Sequence, residues 1–379
     1  MKRSRQMKIA IHQPRLSYYI GGGERVPLEQ AKYLARLGHK VTIVTTDADR
    51  KSSLFRLFVE ENPLVRIEAI RLSDKLKYLY KTELGQNRRR VDAESMEFGR
   101  LTKKYYKENY FDIVATHYTV DALKIPVNQN VVLHLHGCPA RKRLLDEKSL
   151  KRANHLSAVA KYVGDFWKKM YNLKKLILLS YNGIDNKFFH RIGIDQKYDL
   201  LFVGRLIKIK GVDDLLRAAA SVSKRRPNLK IVIVGAGPEK NKLKALAGRL
   251  DLESNIRWQA HVGDTELLNL YNSSKISIFP STAKEGVLTT MLEAAACGSA
   301  IITTDCCGMP EFLTHGQSGL LVRPNQPSDL AASINLLLGD KESLRKKLGG
   351  NAKIAIGRKW TWEKQIKKLE LIYKSCLKK

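Results

Sequence analysis

The sequence has no apolar run approaching the roughly 18 residues that a membrane-spanning helix needs. After the basic start Met1-Lys2-Arg3-Ser4-Arg5, only the short Ile9-Ala10-Ile11 precedes His12 and Gln13. That is no signal-peptide core, so the expected location is the cytoplasm. Cysteines are few and odd in number, five in all. Cys306 and Cys307 are adjacent, whereas Cys138, Cys297 and Cys376 lie far apart, and no pair has Cys-x-x-Cys spacing. This argues against a disulfide framework and a zinc or redox site, and for unpaired thiols in a reducing compartment. Neither an internal repeat nor a low-complexity tract is evident, which excludes solenoids and propellers.

Acid is scarce beside base: 37 Asp+Glu stand against 68 Lys+Arg, a net charge of +31. The excess is spread along the chain, +18 over residues 1–190 and +13 over the rest, so it is not one tail. Residues 75–107, with Arg88-Arg89-Arg90, and residues 141–175 are densest. Tyr78, Tyr80, Tyr105, Tyr106 and Trp167 are interleaved among these cations. A surface so charged attracts something acidic. Cationic, aromatic-bearing helices suit an anionic membrane face. Backbone contacts to nucleic acid are the rival, but no nucleic-acid module is recognisable and no such partner is expected.

What is present is an alternation of short apolar runs with amphipathic stretches. Residues 8–11 read as a buried strand, followed by a loop ending in Gly21-Gly22-Gly23. A helix comes next, with Pro27 near its first turn and Val26, Leu28, Ala31, Leu34 and Ala35 as its apolar face. Gly38 stops that helix, and residues 41–45 form the next strand. Further strands are expected at 65–70, 113–116, 131–135 and 156–158. A second series begins near Asp199, with strands at 200–203, 230–234, 256–258, 276–279 and 300–303. Helical patterns at 212–224, 240–249 and 265–272 alternate with them, and a final helix spans 361–377. Repeated strand–helix alternation predicts an α/β protein of two doubly wound domains, with the polar stretch 182–197 as linker.

Strand ends in such sheets are where ligands bind, so residues just past them carry the chemistry. Gly204-Arg205 and Lys210-Gly211 follow the first strand of the second series. Arg205 can grip a phosphate bidentately and Lys210 adds a point charge; two ordinary surface cations are the plain alternative. Past the strand at 276–279, Glu285 precedes a helix expected near Val287, with Glu293 about two turns inside it. A helix start offers unpaired amides to phosphate, and a carboxylate can accept from two adjacent sugar hydroxyls. On spacing alone, Glu285 is as well a helix-start acid and Glu293 a solvated helical residue. Gly235-Ala236-Gly237-Pro238 lacks the third glycine of a dinucleotide fingerprint and reads as a tight turn. His134 and His136 share a face if their strand persists, yet no acid or cysteine completes a metal set. His136 reads as a polar contact or as a structural histidine.

Together these segments resemble glycosyltransferase family 4 (glycosyl transferases group 1), built on the GT-B fold. The resemblance rests on Gly21-Gly22-Gly23-Glu24-Arg25, His136-Gly137, Asn182-Gly183-Ile184-Asp185 and Gly204-Arg205 through Lys210-Gly211. It continues with Gly235-x-Gly237-Pro238, Glu285-Gly286 through Glu293-Ala294, Gly298, Gly308-x-Pro310-Glu311 and Gly316 through Val322. Each motif is common, but their joint order is specific.

The resemblance implies two Rossmann-like domains facing a central cleft. Residues 1–190 would form the acceptor side, 191–357 the nucleotide-sugar-binding side, and 358–379 a helix crossing back to the first domain. It implies a retaining, hexosyltransferase-type enzyme moving a sugar from a nucleoside-diphosphate sugar to a hydroxyl acceptor. Arg205 and Lys210 would neutralise the leaving diphosphate, Glu293 would hold the ribose, and Glu285 would contact the sugar. Amides of Leu288, Thr289 and Thr290 would assist; Val262 would lie near the base, and His136 near sugar and acceptor. Gly22 and Gly23 would face the phosphates. No cofactor is implied, and with no DxD-type acidic pair near the motifs no metal is expected. A GT-B epimerase or phosphorylase is the alternative reading. The charge adds a lipid-linked or cell-envelope glycan acceptor and peripheral attachment to the anionic cytoplasmic leaflet. Family members often have glycine where Leu288 and Cys307 stand, and serine near Ala160, which leaves the donor sugar open.

Overall fold

The computed structural model describes residues 5–19, 22–48, 51–72, 88–339 and 342–377. Gly21 and the 73–87 part of the first cationic stretch, with Tyr78 and Tyr80, lie outside the described residues. The chain divides into two compact units: Met1–Tyr181 with Gln365–Lys379, and Asn182–Lys364.

In the first unit the strands are β1 (Lys8–His12), β2 (Lys40–Thr46), β3 (Val65–Ile70), β4 (Ile113–Thr116), β5 (Val131–Leu135), β6 (His155–Ala158) and β7 (Ile177–Leu179). They form one sheet in the order β3-β2-β1-β4-β5-β6-β7, every pair parallel. The chain winds outward from β1 to β3, then returns to β4 on the other side of β1. That reversal makes the β1/β4 boundary the place where loops diverge and leave room for a ligand. The central strands read as continuous apolar runs because helices cover both faces; β4 and β5 are buried at every position.

The second unit repeats the scheme with β8 (Tyr198–Val203), β9 (Ile231–Val234), β10 (Ile256–Gln259), β11 (Ser274–Phe279), β12 (Ala300–Thr304) and β13 (Leu320–Val322). Their order is β10-β9-β8-β11-β12-β13, again all parallel, with the reversal between β8 and β11. Leu200, Phe202, Ile231, Ile233, Ile276 and Ile302 meet Leu215, Leu216 and Ile334 from the covering helices in one core. Two α/β Rossmann-like units, as expected, are the architecture.

Several local expectations need correction. Helix α1 (Gly22–Arg36) already includes Gly22 and Gly23, which therefore lie in its first turn rather than in a loop, and Pro27 falls inside it. As the sixth residue of the helix, Pro27 has no N–H to donate to the Gly23 carbonyl four residues back. The stretch 182–197 is not a free linker: Ile184 and Phe189 are buried, and Ile184 exchanges backbone hydrogen bonds with Trp360 and Trp362. These two buried side chains pin the segment. Tyr106 and Trp167, placed among cations as membrane-facing aromatics, are core residues instead. Helix α3 (Arg88–Glu108) turns Tyr106 inward, where its hydroxyl meets His12 Nδ1 at 3.0 Å. On α5 (Lys161–Tyr171), Trp167 donates its indole N–H to the Gly137 carbonyl, 2.8 Å.

The final helix, α12 (Trp362–Cys376), buries Ile366, Leu369, Tyr373 and Cys376. Its residues from Gln365 onward belong to the first unit. His39 Nε2 lies 3.2 Å from Glu370 Oε1, Lys374 donates to the same carboxylate at 2.5 Å, and Asn130 donates to the Cys376 carbonyl at 3.1 Å. Among the described residues no helix is long and apolar enough to cross a membrane.

Candidate active site

The second unit builds its site at the β8/β11 reversal. Past β8 the chain runs through Gly204–Ile207 into a short turn, Lys208–Lys210, and then α6 (Val212–Ser223). The Leu206 amide donates to the Ala236 carbonyl at 2.8 Å, so the Gly235–Gly237 turn props up the segment bearing Arg205. Gly211 has φ +64°, and a Cβ there would lie 2.0 Å from the Pro280 carbonyl oxygen. Only glycine lets the loops after β8 and β11 close this tightly. The Thr282 amide, donating to the Ile209 carbonyl at 2.8 Å, joins them again.

This proximity brings two sequence candidates together. Lys210 Nζ lies 3.1 Å from Glu285 Oε1, with both side chains largely buried. Arg205, a few residues before Lys210 in the chain, is exposed, its guanidinium without a partner among the described residues. The pair is an ammonium held in place by a carboxylate. Lys210 and Arg205, both on the segment between β8 and α6, are the cations this segment can offer a doubly charged diphosphate.

Helix α9 (Thr289–Ala296) begins later than the expected Val287, because Leu288 is extended at φ −72° and ψ 129° and serves as its N-cap. The Met291 and Leu292 amides bond to the Leu288 carbonyl, leaving those of Thr289 and Thr290 in the first turn, where a helix supplies no acceptor. Glu293 is therefore about one turn inside the helix. It is 8% exposed, not solvated, and Tyr271 of α8 (Asp264–Ser273) donates its hydroxyl to Oε2 at 2.8 Å. Burial, then the Glu293 carboxylate, push the Tyr271 phenol well above its usual range, so it stays a donor. Val262 is buried between β10 and α8, apart from these groups in sequence.

Two departures from the family pattern acquire physical content. Cys307 has φ +60°, the left-handed conformation that glycine adopts without cost. Next to it the Gly308 amide donates to the Glu285 carbonyl at 3.1 Å, and a Cβ on Gly308 would meet the Gly286 carbonyl carbon at 2.6 Å. This turn therefore buttresses the Glu285 loop. At Leu288 the backbone is one that any residue adopts, and the leucine side chain is buried.

In the first unit, β5 ends at Leu135, so His134 and His136 do not continue on one strand face. His134 Nε2 lies 2.9 Å from the Tyr373 hydroxyl of α12, while half-buried His136 turns Nε2 to His117 Nδ1 at 2.8 Å. The His117 ring stacks on His134 with centroids 4.7 Å apart and planes 6° from parallel. Loss of hydration lowers His134 to about 3 and His136 to about 4, and pushes His117 well below the ordinary histidine range. All three rings are neutral at pH 7. Among the described residues no three His, Cys, Asp or Glu side chains are grouped to hold a metal ion.

Sequence reasoning missed His117, Tyr373, Tyr271 and a buried cluster past β1. There Arg15 donates to Glu94 (3.0 Å) and Ser95 (2.9 Å) and lies 3.7 Å from Asp121. Burial raises Asp121 to about 7 against the pull of Arg15. His117 carried one usable signal, its place directly after the predicted strand 113–116.

Two family models match consecutive stretches: Glycosyltransferase Family 4 at residues 20–188 and Glycosyl transferases group 1 at residues 185–355. An uncharacterized glycosyltransferase of Methanocaldococcus jannaschii is 30% identical over 232 residues, 59% of this chain and 59% of that protein. The capsular polysaccharide biosynthesis glycosyltransferase CapM of Staphylococcus aureus is 26% identical over 201 residues, 53% of this chain and 51% of that protein. The match thus spans about half the length of these relatives. Anabaena HepE in complex with UDP-glucose superposes with a TM-score of 0.79 at 18% identity, covering 98% of this chain and all of that one. With two matched models running in succession from residue 20 to residue 355, the chain belongs to the family 4, group 1 glycosyltransferases of GT-B fold.

Proposed function

We propose that the protein is a retaining glycosyltransferase that moves a hexose from a nucleoside-diphosphate sugar to a hydroxyl acceptor. The observation that carries this reading is the largely buried Lys210–Glu285 pair at the β8/β11 reversal, with Arg205, unpartnered among the described residues, a few residues before Lys210. Breaking the anomeric C–O bond sends an electron pair onto a departing diphosphate. Lys210, Arg205 and the Thr289 and Thr290 amides meet that charge as it develops. Such preorganised donors contribute several kcal/mol, about 3 for a single well-placed one. Glu285 orients the ammonium and accepts from sugar hydroxyls through its second oxygen; Glu293, held by Tyr271, accepts from the ribose. His136 serves the sugar and acceptor, and Gly22 and Gly23 the phosphates. No metal or cofactor enters this scheme.

For the acceptor we favour a lipid-linked or cell-envelope glycan, met at the anionic cytoplasmic face of a membrane. The net charge of +31 and the capsule-building relative support this. The test is nucleoside diphosphate release from a donor panel, with and without membrane extract, and mass spectrometry of products. Release only with acceptor, together with an extract component heavier by one hexose, is the expected result. Release without acceptor would favour the epimerase alternative, and phosphate-dependent release the phosphorylase.

A further inference from the structure

The net charge must have a place to act, and one groove of the first unit gathers it. It is a trough of about 1310 Å³ along α3, opposite residues 123–128. Ala93, Met96, Arg100, Lys103 and Lys107 line it at intervals of three and four, which places them on one helix face. Leu123, Lys124, Pro126 and Val127 form the facing wall, and Arg152 closes one side.

Its cations are unequal. Arg152 is spent on the carbonyls of Ile125 (2.9 Å) and Pro126 (2.5 Å), and Arg100 is paired with Glu97 at 2.8 Å. Among the described residues Glu97 is the one acid in the lining. Lys103, Lys107 and Lys124 are exposed and have no acidic partner among the described residues. Gly99 draws them together: a Cβ there would lie 2.5 Å from Lys124 Cβ, so glycine lets α3 approach the opposite wall. Clustering like charges is unfavourable unless an anion answers them. Apolar surface is open between these cations; Val127 is 87% exposed. Among the described residues no aromatic ring lines the trough, as base stacking would want.

We propose that this groove is where the protein seats on an anionic phospholipid bilayer, the three lysines taking lipid phosphates and the Met96–Val127 surface taking glycerol and upper acyl chain. The inference deepens the membrane reading above and rests on it. It moves the contact from the aromatic rings, since Tyr106 and Trp167 are buried, to a cationic trough with an aliphatic floor on another face of α3.

Flotation of the full chain tests it, with vesicles of phosphatidylcholine alone and of phosphatidylcholine mixed with phosphatidylglycerol. The comparison is between a groove triple, Lys103→Glu with Lys107→Glu and Lys124→Glu, and an equal charge change elsewhere, Lys224→Glu with Arg225→Glu and Arg226→Glu. The parent should float only with phosphatidylglycerol. At about 1 kcal/mol per surface cation, the groove triple should bind about a hundredfold more weakly, and the control far less so. Val127→Ser should weaken binding with the charge unchanged. Thermal melting checks that each variant folds. If both triples lose binding equally, the groove is overturned while membrane attachment stands. If the parent ignores phosphatidylglycerol, the membrane reading itself falls.

Discussion

Lys210 and Glu285 are each other's counter-ions, whereas Arg205 has none among the described residues, and this difference separates two substitutions alike on paper. Arg205→Ala removes an exposed guanidinium, so kcat/KM should fall by orders of magnitude with the melting temperature unchanged. Lys210→Ala removes as much catalysis but also strands a largely buried carboxylate, so it should melt lower as well. Steady-state kinetics paired with thermal unfolding reads both; near-normal turnover in either variant would sink the donor-site assignment. A subtler residue is His117. Its Nε2 is buried without a partner among the described residues, which costs less as a bare lone pair than as an N–H, so Nδ1 carries the proton and donates to His136. His136 then holds its own proton on Nδ1. His117→Phe preserves a ring over His134 but loses that donor; we expect kcat to fall about five- to tenfold, the worth of one hydrogen bond. Nitrogen-15 shifts of the His136 imidazole should report a changed tautomer, which a purely packing role would not produce.

Among elements, the turn at Cys306–Gly308 and helix α12 matter most. Gly308→Ala pushes a methyl into the Gly286 backbone and displaces the Glu285 loop, so donor KM should rise more than kcat falls. An unchanged KM would show that the turn does not position that loop. Helix α12 is held to the first unit by His39–Glu370 and His134–Tyr373. Glu370→Ala should speed hydrogen exchange in α12 while exchange in the second-unit sheet stays as it was. Elements were mostly legible from pattern: strands at 65–70, 113–116 and 131–135 match their observed bounds. Buried parallel strands leave an apolar run that alternation with helices makes unmistakable. The three-residue strands β7 and β13 were not found, because so short a run carries no periodicity. The start of α9 was placed early because Leu288, an apolar residue, stands as N-cap where a polar one signals a helix start.

At the scale of the molecule, the buried neutral histidines set a pH dependence. His12 and His134 are lowered to about 3 and His136 to about 4, chiefly by burial, and His117 is lowered as well. Below the unfolded value near 6.5, the unfolded chain binds protons that the folded one refuses, so stability falls with falling pH. Each histidine contributes a slope of about 1.4 kcal/mol per pH unit once fully engaged. Asp121, raised to about 7, acts with the opposite sign between about 4 and 7 and offsets one histidine's share. Urea unfolding of the first unit should therefore have its midpoint lower at pH 5 than at pH 7; a higher midpoint at pH 5 would refute the neutral cluster.

What the sequence alone determined was the alternation of strands and helices, the doubly wound class and the loops that carry Arg205, Lys210 and Glu285. These are local: apolar periodicity and glycine placement write them into consecutive residues. Tertiary structure alone decided that Lys210 meets Glu285, that Tyr271 holds Glu293, that His117 rather than His134 partners His136, and that Tyr106 and Trp167 are core. Each of these depends on which face of a helix or which strand end a distant segment covers, and packing settles that only once the sheets have closed.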